Sequence, residues 1–360
     1  MNATFAQRRR ALQAQLAATG LSGVLSTNPA DWYYLTGFTG EAGALLISRT
    51  GSALVTDGRF TVQAKEETSA IRVVRQESSL MASVGNWLHG RVSGKIAFDA
   101  GQITVDQFRT LRRAAGPRVR LTAARGEIAS LRQRKEPGEI EQMRKAAVLA
   151  GKIVTAAFKL LKPGVREIEI AAEIEYQMRS RGASGPAFET IVAFGARSAH
   201  PHAQPTEKRL AKNELVVLDL GVILAHYCSD ITRTVFLGRA PARIRRFYRA
   251  VQEAQAAAVA AAQAGVTCGE VDATARRVLT RSRLERYFVH STGHGLGLEV
   301  HENPRVARGQ KHVLAPGNVI TIEPGVYVPG LGGIRIEDDV AVHAGRTEVL
   351  TRVPRDLIEI

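Results

Sequence analysis

One pattern occurs twice between residues 137 and 342, and it restricts the architecture more than any composition figure does. A long helix is predicted to start near Pro137 and to run to the Pro163-Gly164 stop. Proline suits a first helical turn, and Glu139 and Glu141 complement a helix N-terminus. The segment from Lys162 to Glu167 follows, then a second helix over 166–181, a loop containing His202, and a strand hairpin with two acids, Asp219 and Asp230. The series then restarts: a helix over 242–264, the segment from Gly265 to Glu270, a helix over 270–283, a loop ending at His301, and a hairpin with Glu323 and Glu337. Gly164 and Gly265 are 101 positions apart, and His202 and His301 are 99 apart. A single repeated pair carries little weight. Five matched features in one order predict two half-domains related by pseudo-symmetry, an α+β fold with a site on the axis between them.

Residues 1–134 read differently. The runs GVLS, ALLIS and ALVTDG, together with WYYLTGFTG after Asn28-Pro29, predict strands over 21–60. Helices at 60–68, 78–90 and 103–115, with a strand at 95–100, make this an α/β layer domain. A boundary near Arg134–Gly138 gives domains of 1–134 and 135–360, and a chain of 360 residues suits two cores. Composition is ordinary for a globular protein, 45% hydrophobic and 23% charged, and no run approaches the ~18 apolar residues of a membrane span. The start of the chain has an arginine cluster and lacks the apolar core of a secretion signal. Two cysteines, Cys228 and Cys268, are too few for a disulfide framework or a four-cysteine zinc site. A soluble protein of a reducing, cytoplasmic compartment is expected. The formal net charge is +15; residues through Lys135 hold 19 basic and 9 acidic side chains, the remainder 30 and 25. A surplus of that size signals either an anionic partner such as nucleic acid or surface composition alone.

The two hairpins carry the chemistry. With Leu224-Ala225 as the turn, Asp219 falls directly opposite Asp230, their Cβ atoms ~5 Å apart. Leu-Ala is a poor turn pair by the glycine and asparagine rule. In the second hairpin a turn centred on Gly330 places Glu323 opposite Glu337. Four carboxylates on inner faces are intolerable as a bare cluster, and one or two divalent cations convert the repulsion to coordination. Between the hairpins, HSTGHGLGLEVHENP supplies nitrogen. His290 and His294 are four apart, but Gly293, Gly295 and Gly297 argue against a helix and suggest backbone close to a ligand. A phosphate loop is the weaker reading, since no strand-to-helix transition surrounds these glycines. Each histidine or acid taken alone is more often structural than functional.

The ordered set Asp219, Asp230, His294, Glu323 and Glu337, within LDLG, SDITRT, GHGLGLEVHE, TIEPGVY and GIRIEDD, resembles the pita-bread metallopeptidases, the family of methionine aminopeptidase, aminopeptidase P, prolidase and the metal-free creatinase. The likeness covers most of 138–342. RSAHPHAQP matches the upstream histidine loop at His202, while LTGFTG and VTDGRF resemble the creatinase-type amino-terminal domain. The resemblance implies that the five residues bind two divalent ions, with Asp230 and Glu337 bridging. The oxygen-rich set suits manganese, with cobalt and zinc also accommodated. It further implies that Glu323 shuttles a proton from a metal-bound water, which becomes the attacking hydroxide, toward the leaving nitrogen. His202 and His301 would hydrogen-bond substrate and oxyanion, His290 would lie near the leaving-group pocket, and Arg335 would support the metal ligands or meet a substrate carboxylate. Cys228, two residues before Asp230, is read as packing.

A complete amino-terminal domain points to hydrolysis of Xaa-Pro bonds in short proline-containing peptides, by a dipeptidase or, closely following, an aminopeptidase P; the resemblance further implies a homodimer. The competing expectation is a non-catalytic pita-bread protein whose basic amino-terminal domain binds nucleic acid. The charge favours it; the intact ligand set and 6% aromatic content oppose it.

Overall fold

The computed structural model describes residues 2–49 and 51–360, excepting the side chains of residues 2 and 3. It divides into two compact units, one ending at Arg132 and one spanning Gln133–Ile360. Among the described residues no helix is long and apolar enough to cross a membrane.

The first unit is built on a six-stranded mixed sheet. Its strands run in the spatial order Arg72–Arg75, Ser52–Thr56, Ala44–Ser48, Gly23–Ser26, Gly94–Phe98 and Val119–Ala123. The helices Leu80–Leu88 and Val105–Ala115 pack closely because Gly85 lacks a side chain: a Cβ there would sit 2.5 Å from Ala114 Cβ. Leu25, Leu46, Val55, Met81, Ile96 and Leu111 form the core. The expected strand over WYYLTGFTG is corrected here, because Pro29–Thr36 is a helix. Asn28 caps it by accepting the Ala30 N–H, Pro29 opens it, and Gly37 closes it at φ +82°. That Asn-Pro pair is a helix-start signal that outweighs the strand preference of the aromatic run. The helix Asn2–Ala18, which burial of Leu12 and Leu16 anchors, is a further element that the sequence reading does not anticipate.

The second unit repeats itself in detail. One helix pair, Pro137–Phe158 and Glu167–Ser180, covers a four-stranded sheet containing Ile191–Phe194, Glu214–Leu220 and Ile231–Leu237. The other pair, Ala242–Ala261 and Cys268–Arg281, covers a five-stranded sheet containing Gly293–Gly295, Val319–Ile322 and Asp338–His343. Each pair has its own core: Val154, Ile170, Val216 and Val235 in the first half, Val251, Val271, Ile320 and Val340 in the second. Gly164 and Gly265, the anchors of the sequence repeat, have φ of +91° and +92°. Their N–H groups donate to Leu210 O and Leu314 O, both at 2.8 Å. Five residues after each, a glutamate accepts the N–H of the residue that caps the following helix, Glu169 from Arg166 and Glu270 from Thr267. The same local instruction therefore produces the same turn twice, and the mixed α/β architecture follows from it.

Candidate active site

The first acid hairpin departs from its expected register. Asp219 lies opposite Thr232, not Asp230, because the turn falls one residue later, at Ala225 and His226, with φ of +47° and +71°. Two positive φ values are what a tight two-residue hairpin turn requires, and neither residue advertises them. A displacement of two positions preserves the face of every side chain, so both aspartates still belong to one side. The second hairpin has the expected register. Ile322 pairs with Asp338 and Gly325 with Arg335, which sets Glu323 opposite Glu337 where the two ladders meet.

These elements bring Asp230, His294 and Glu337 together, each offering a ligand atom within 4.8 Å of the others. His294 Nε2 lies 3.7 Å from Asp230 Oδ2 and 3.4 Å from Glu323 Oε1. Its Nδ1 faces the Gly295 carbonyl at 3.1 Å; a carbonyl only accepts, so Nδ1 carries the proton and the Nε2 lone pair faces the acids. Burial pushes the imidazole down to about 4, which keeps it neutral. Burial, reinforced by repulsion from neighbouring acids, holds the Asp230 and Glu337 carboxyls well above the usual carboxylate range. Burial also pushes Glu323 up to about 8, with Arg335 opposing and Asp219 adding. Asp219 Oδ2 accepts a 2.5 Å bond from Arg335 Nη2, while its buried Oδ1 has no hydrogen-bond partner. A neutral imidazole, an orphaned carboxylate oxygen and crowded acids form a donor set that fits divalent cations.

Three supporting residues escape the motif reading. Thr232 donates to Glu337 Oε2 at 2.6 Å and accepts from Arg335 Nε. Asp339 accepts the Asp230 N–H at 3.1 Å. Tyr327 Oη accepts from Arg335 Nη1 and stands 2.8 Å from His290 Nε2. His290 Nδ1 faces the Ser291 carbonyl at 2.8 Å, so Nε2 is the acceptor and Tyr327 the donor; both ring nitrogens are thereby engaged. Burial, with Arg335 next, pushes His290 down to about 3. The available signal was buried polarity: Thr232 and Asp339 sit in strands whose residues are almost all buried.

Arg335, itself buried, also donates to Pro201 O, so four of its N–H donors end on protein groups. The His294 and His301 rings lie 4.3 Å apart between centroids. His301 is lowered by burial and then by His202, which is exposed and near enough to act on it electrostatically. Gly293 and Gly295 have a different use from the one expected. A Cβ would meet Thr321 O at 1.9 Å and Asn303 O at 2.3 Å, so these glycines admit neighbouring backbone where a ligand was anticipated. Cys228 is buried in a packing cluster, its thiol donating to Leu298 O.

This combination of paired half-domains and an inward acid–histidine cluster defines a metallohydrolase fold. Residues 141–344 match the Metallopeptidase family M24, and residues 8–134 match the Creatinase/Prolidase N-terminal domain. The chain belongs to this metallopeptidase family. It is 47% identical over 231 residues to the Xaa-Pro dipeptidase of Pyrococcus furiosus, a stretch of 64% of this chain and 66% of that one. The structure of an Xaa-Pro dipeptidase from Bacillus anthracis superposes with a TM-score of 0.94 at 36% identity, covering 99% of this chain and all of the other. An X-Pro aminopeptidase from Thermotoga maritima superposes with a TM-score of 0.86 at 35% identity, covering 95% and 98%. The pita-bread architecture and peptidase class implied by the motifs are borne out, and the nucleic-acid alternative gains no support from these matches.

Proposed function

We propose that this metallopeptidase hydrolyses the Xaa-Pro bond at the N-terminus of short peptides, with dipeptides as its principal substrates. The observation that carries this reading is the inward cluster of Asp230, His294 and Glu337, flanked by Asp219 and Glu323, in a chain alike throughout its length to an Xaa-Pro dipeptidase. Asp219, Asp230, His294, Glu323 and Glu337 would hold two divalent ions, and the oxygen-rich set favours manganese. Bound there, the ions supply Lewis acidity toward the scissile carbonyl and toward a water molecule.

The chain's own groups do the rest. Glu323 accepts a proton at its carboxylate and returns it to the leaving nitrogen. His202 and His301, on the open side of the cluster, donate hydrogen bonds to the substrate and to the developing oxyanion. Arg335 and Thr232 hold Asp219 and Glu337 in place, and Tyr327 fixes His290 so that its ring, with both nitrogens engaged, lines the leaving-group side. A cytoplasmic homodimer is the expected state.

The test uses protein stripped of metal and reloaded with manganese, assayed on Xaa-Pro dipeptides and on tripeptides with proline second. Hydrolysis of the dipeptides with at least tenfold preference is expected. Faster tripeptide cleavage would reassign the enzyme to the aminopeptidases, and inactivity on all of them would sink the proline assignment.

A further inference from the structure

Two carboxylates that no motif singles out are fully buried in the second unit, Glu167 and Asp272, one on the second helix of each half. Neither is among the proposed metal ligands. Glu167 accepts the Phe194 N–H at 2.9 Å, Arg197 Nε at 3.1 Å, and both the N–H and hydroxyl of Thr206 at 2.9 and 2.6 Å. It thus grips both ends of the segment 194–206 that carries His202. Arg197 extends the grip by donating to Gln204 O. Asp272 repeats this chemistry with different residues. It accepts Arg276 Nε at 2.8 Å and the N–H and hydroxyl of Thr292 at 3.3 and 2.8 Å. Arg276 extends that grip by donating to His290 O, and Thr292 O receives the Glu323 N–H.

We infer that Glu167 and Asp272 are positioning residues, a pair of acid–arginine–threonine clamps, one per half-domain. Glu167 holds the substrate-facing His202 loop, and Asp272 holds the segment leading to His294 and Glu323. A buried carboxylate needs these donors, and the donors are loop backbone, so burying the acid fixes the loop. This inference rests on the assignment of His202 to substrate and His294 to metal made above.

The test measures KM and kcat of the manganese-loaded enzyme on an Xaa-Pro dipeptide, and the manganese dissociation constant of the stripped protein by calorimetry. Glu167→Gln places an NH2 group against one loop N–H and is expected to raise KM about tenfold, with metal affinity unchanged. In a His202→Ala background the same substitution adds nothing further, because the loop then has no histidine to position. Asp272→Asn is expected to weaken manganese binding about tenfold. Thr206→Val and Thr292→Val, which leave each acid and its arginine in place, shift the same quantities about threefold, and they decide the matter where the acid variants do not fold. Glu167 and Thr206 variants with normal KM, or effects additive with His202→Ala, would overturn the first clamp. Unchanged metal affinity in the Asp272 and Thr292 variants would overturn the second. Should His202→Ala itself leave KM unchanged, the His202 assignment fails and takes the Glu167 clamp with it, while the Asp272 clamp is decided separately by metal affinity.

Discussion

The two acid hairpins are built for the same purpose by different means. In the second, Gly330 supplies the positive φ that its turn needs, the register runs evenly through both ladders, and Glu323 faces Glu337. In the first, Ala225 and His226 adopt positive φ themselves, and Asp219 faces Thr232. Asp219 consequently has a different neighbourhood, held by Arg335, while Asp230 joins His294 and Glu337 across the half-domain boundary. Pseudo-symmetry therefore fixes which elements meet, and local register fixes which acid sits in the shared group.

The largest effect should come from the acids that the two hairpins contribute jointly. Asp230→Asn and Glu337→Gln are each expected to lower kcat/KM on the order of 10³-fold, about 4 kcal/mol of transition-state stabilisation, and to lose bound metal. Assays with metal analysis would check this; loss confined to one hairpin's variant would break the view of a shared cluster. Next, Arg335→Met strands the buried Asp219 carboxylate, at a cost of about 3–5 kcal/mol in metal-free protein. Urea unfolding should show that deficit shrinking when manganese is added, since a cation then takes over the Asp219 charge.

A pH series sharpens the contrast further. Glu323 titrates near 8 in the metal-free fold, against an ordinary value of 4.5. Between those values the folded state binds more protons than the unfolded state, so stability is greatest at the acid end and falls as pH rises toward 8. Metal-stripped protein should therefore melt lower at pH 8 than at pH 6. Manganese should stabilise it more at pH 8, and Glu323→Gln should flatten the slope by about 1.4 kcal/mol per pH unit. The smallest effects belong to the turns. Ala225→Asn, better suited to positive φ, should raise stability by up to about 1 kcal/mol, whereas Gly330→Ala should lower it by about 1 kcal/mol, both with unchanged kcat/KM. Thermal melts with parallel assays would show it.

Much of this was legible before any coordinates. Gly164 and Gly265, Pro137 and Gly330 are local instructions, each acting through its own backbone preference, and they announce helices of the second unit and its second hairpin. The helix Pro29–Thr36 was announced too, by Asn28-Pro29, but its aromatic residues imitate a strand. Thr232, Asp339 and Tyr327 were not legible as site residues, because a threonine or tyrosine in a strand has many ordinary uses. Thr232 and Asp339 act through partners more than 100 positions away, Glu337 and Asp230, and Tyr327 acts through Arg335 and His290, which lie in other elements.

By itself the sequence determined the repeat and the helices of the second unit, because these depend on neighbours a few residues off. Tertiary structure alone decided the register at Ala225, the proton position on His294 and His290, and the partners of Arg335. Each of those is set by which groups are buried against one another, and burial makes every unpaired polar atom costly enough to choose its partner.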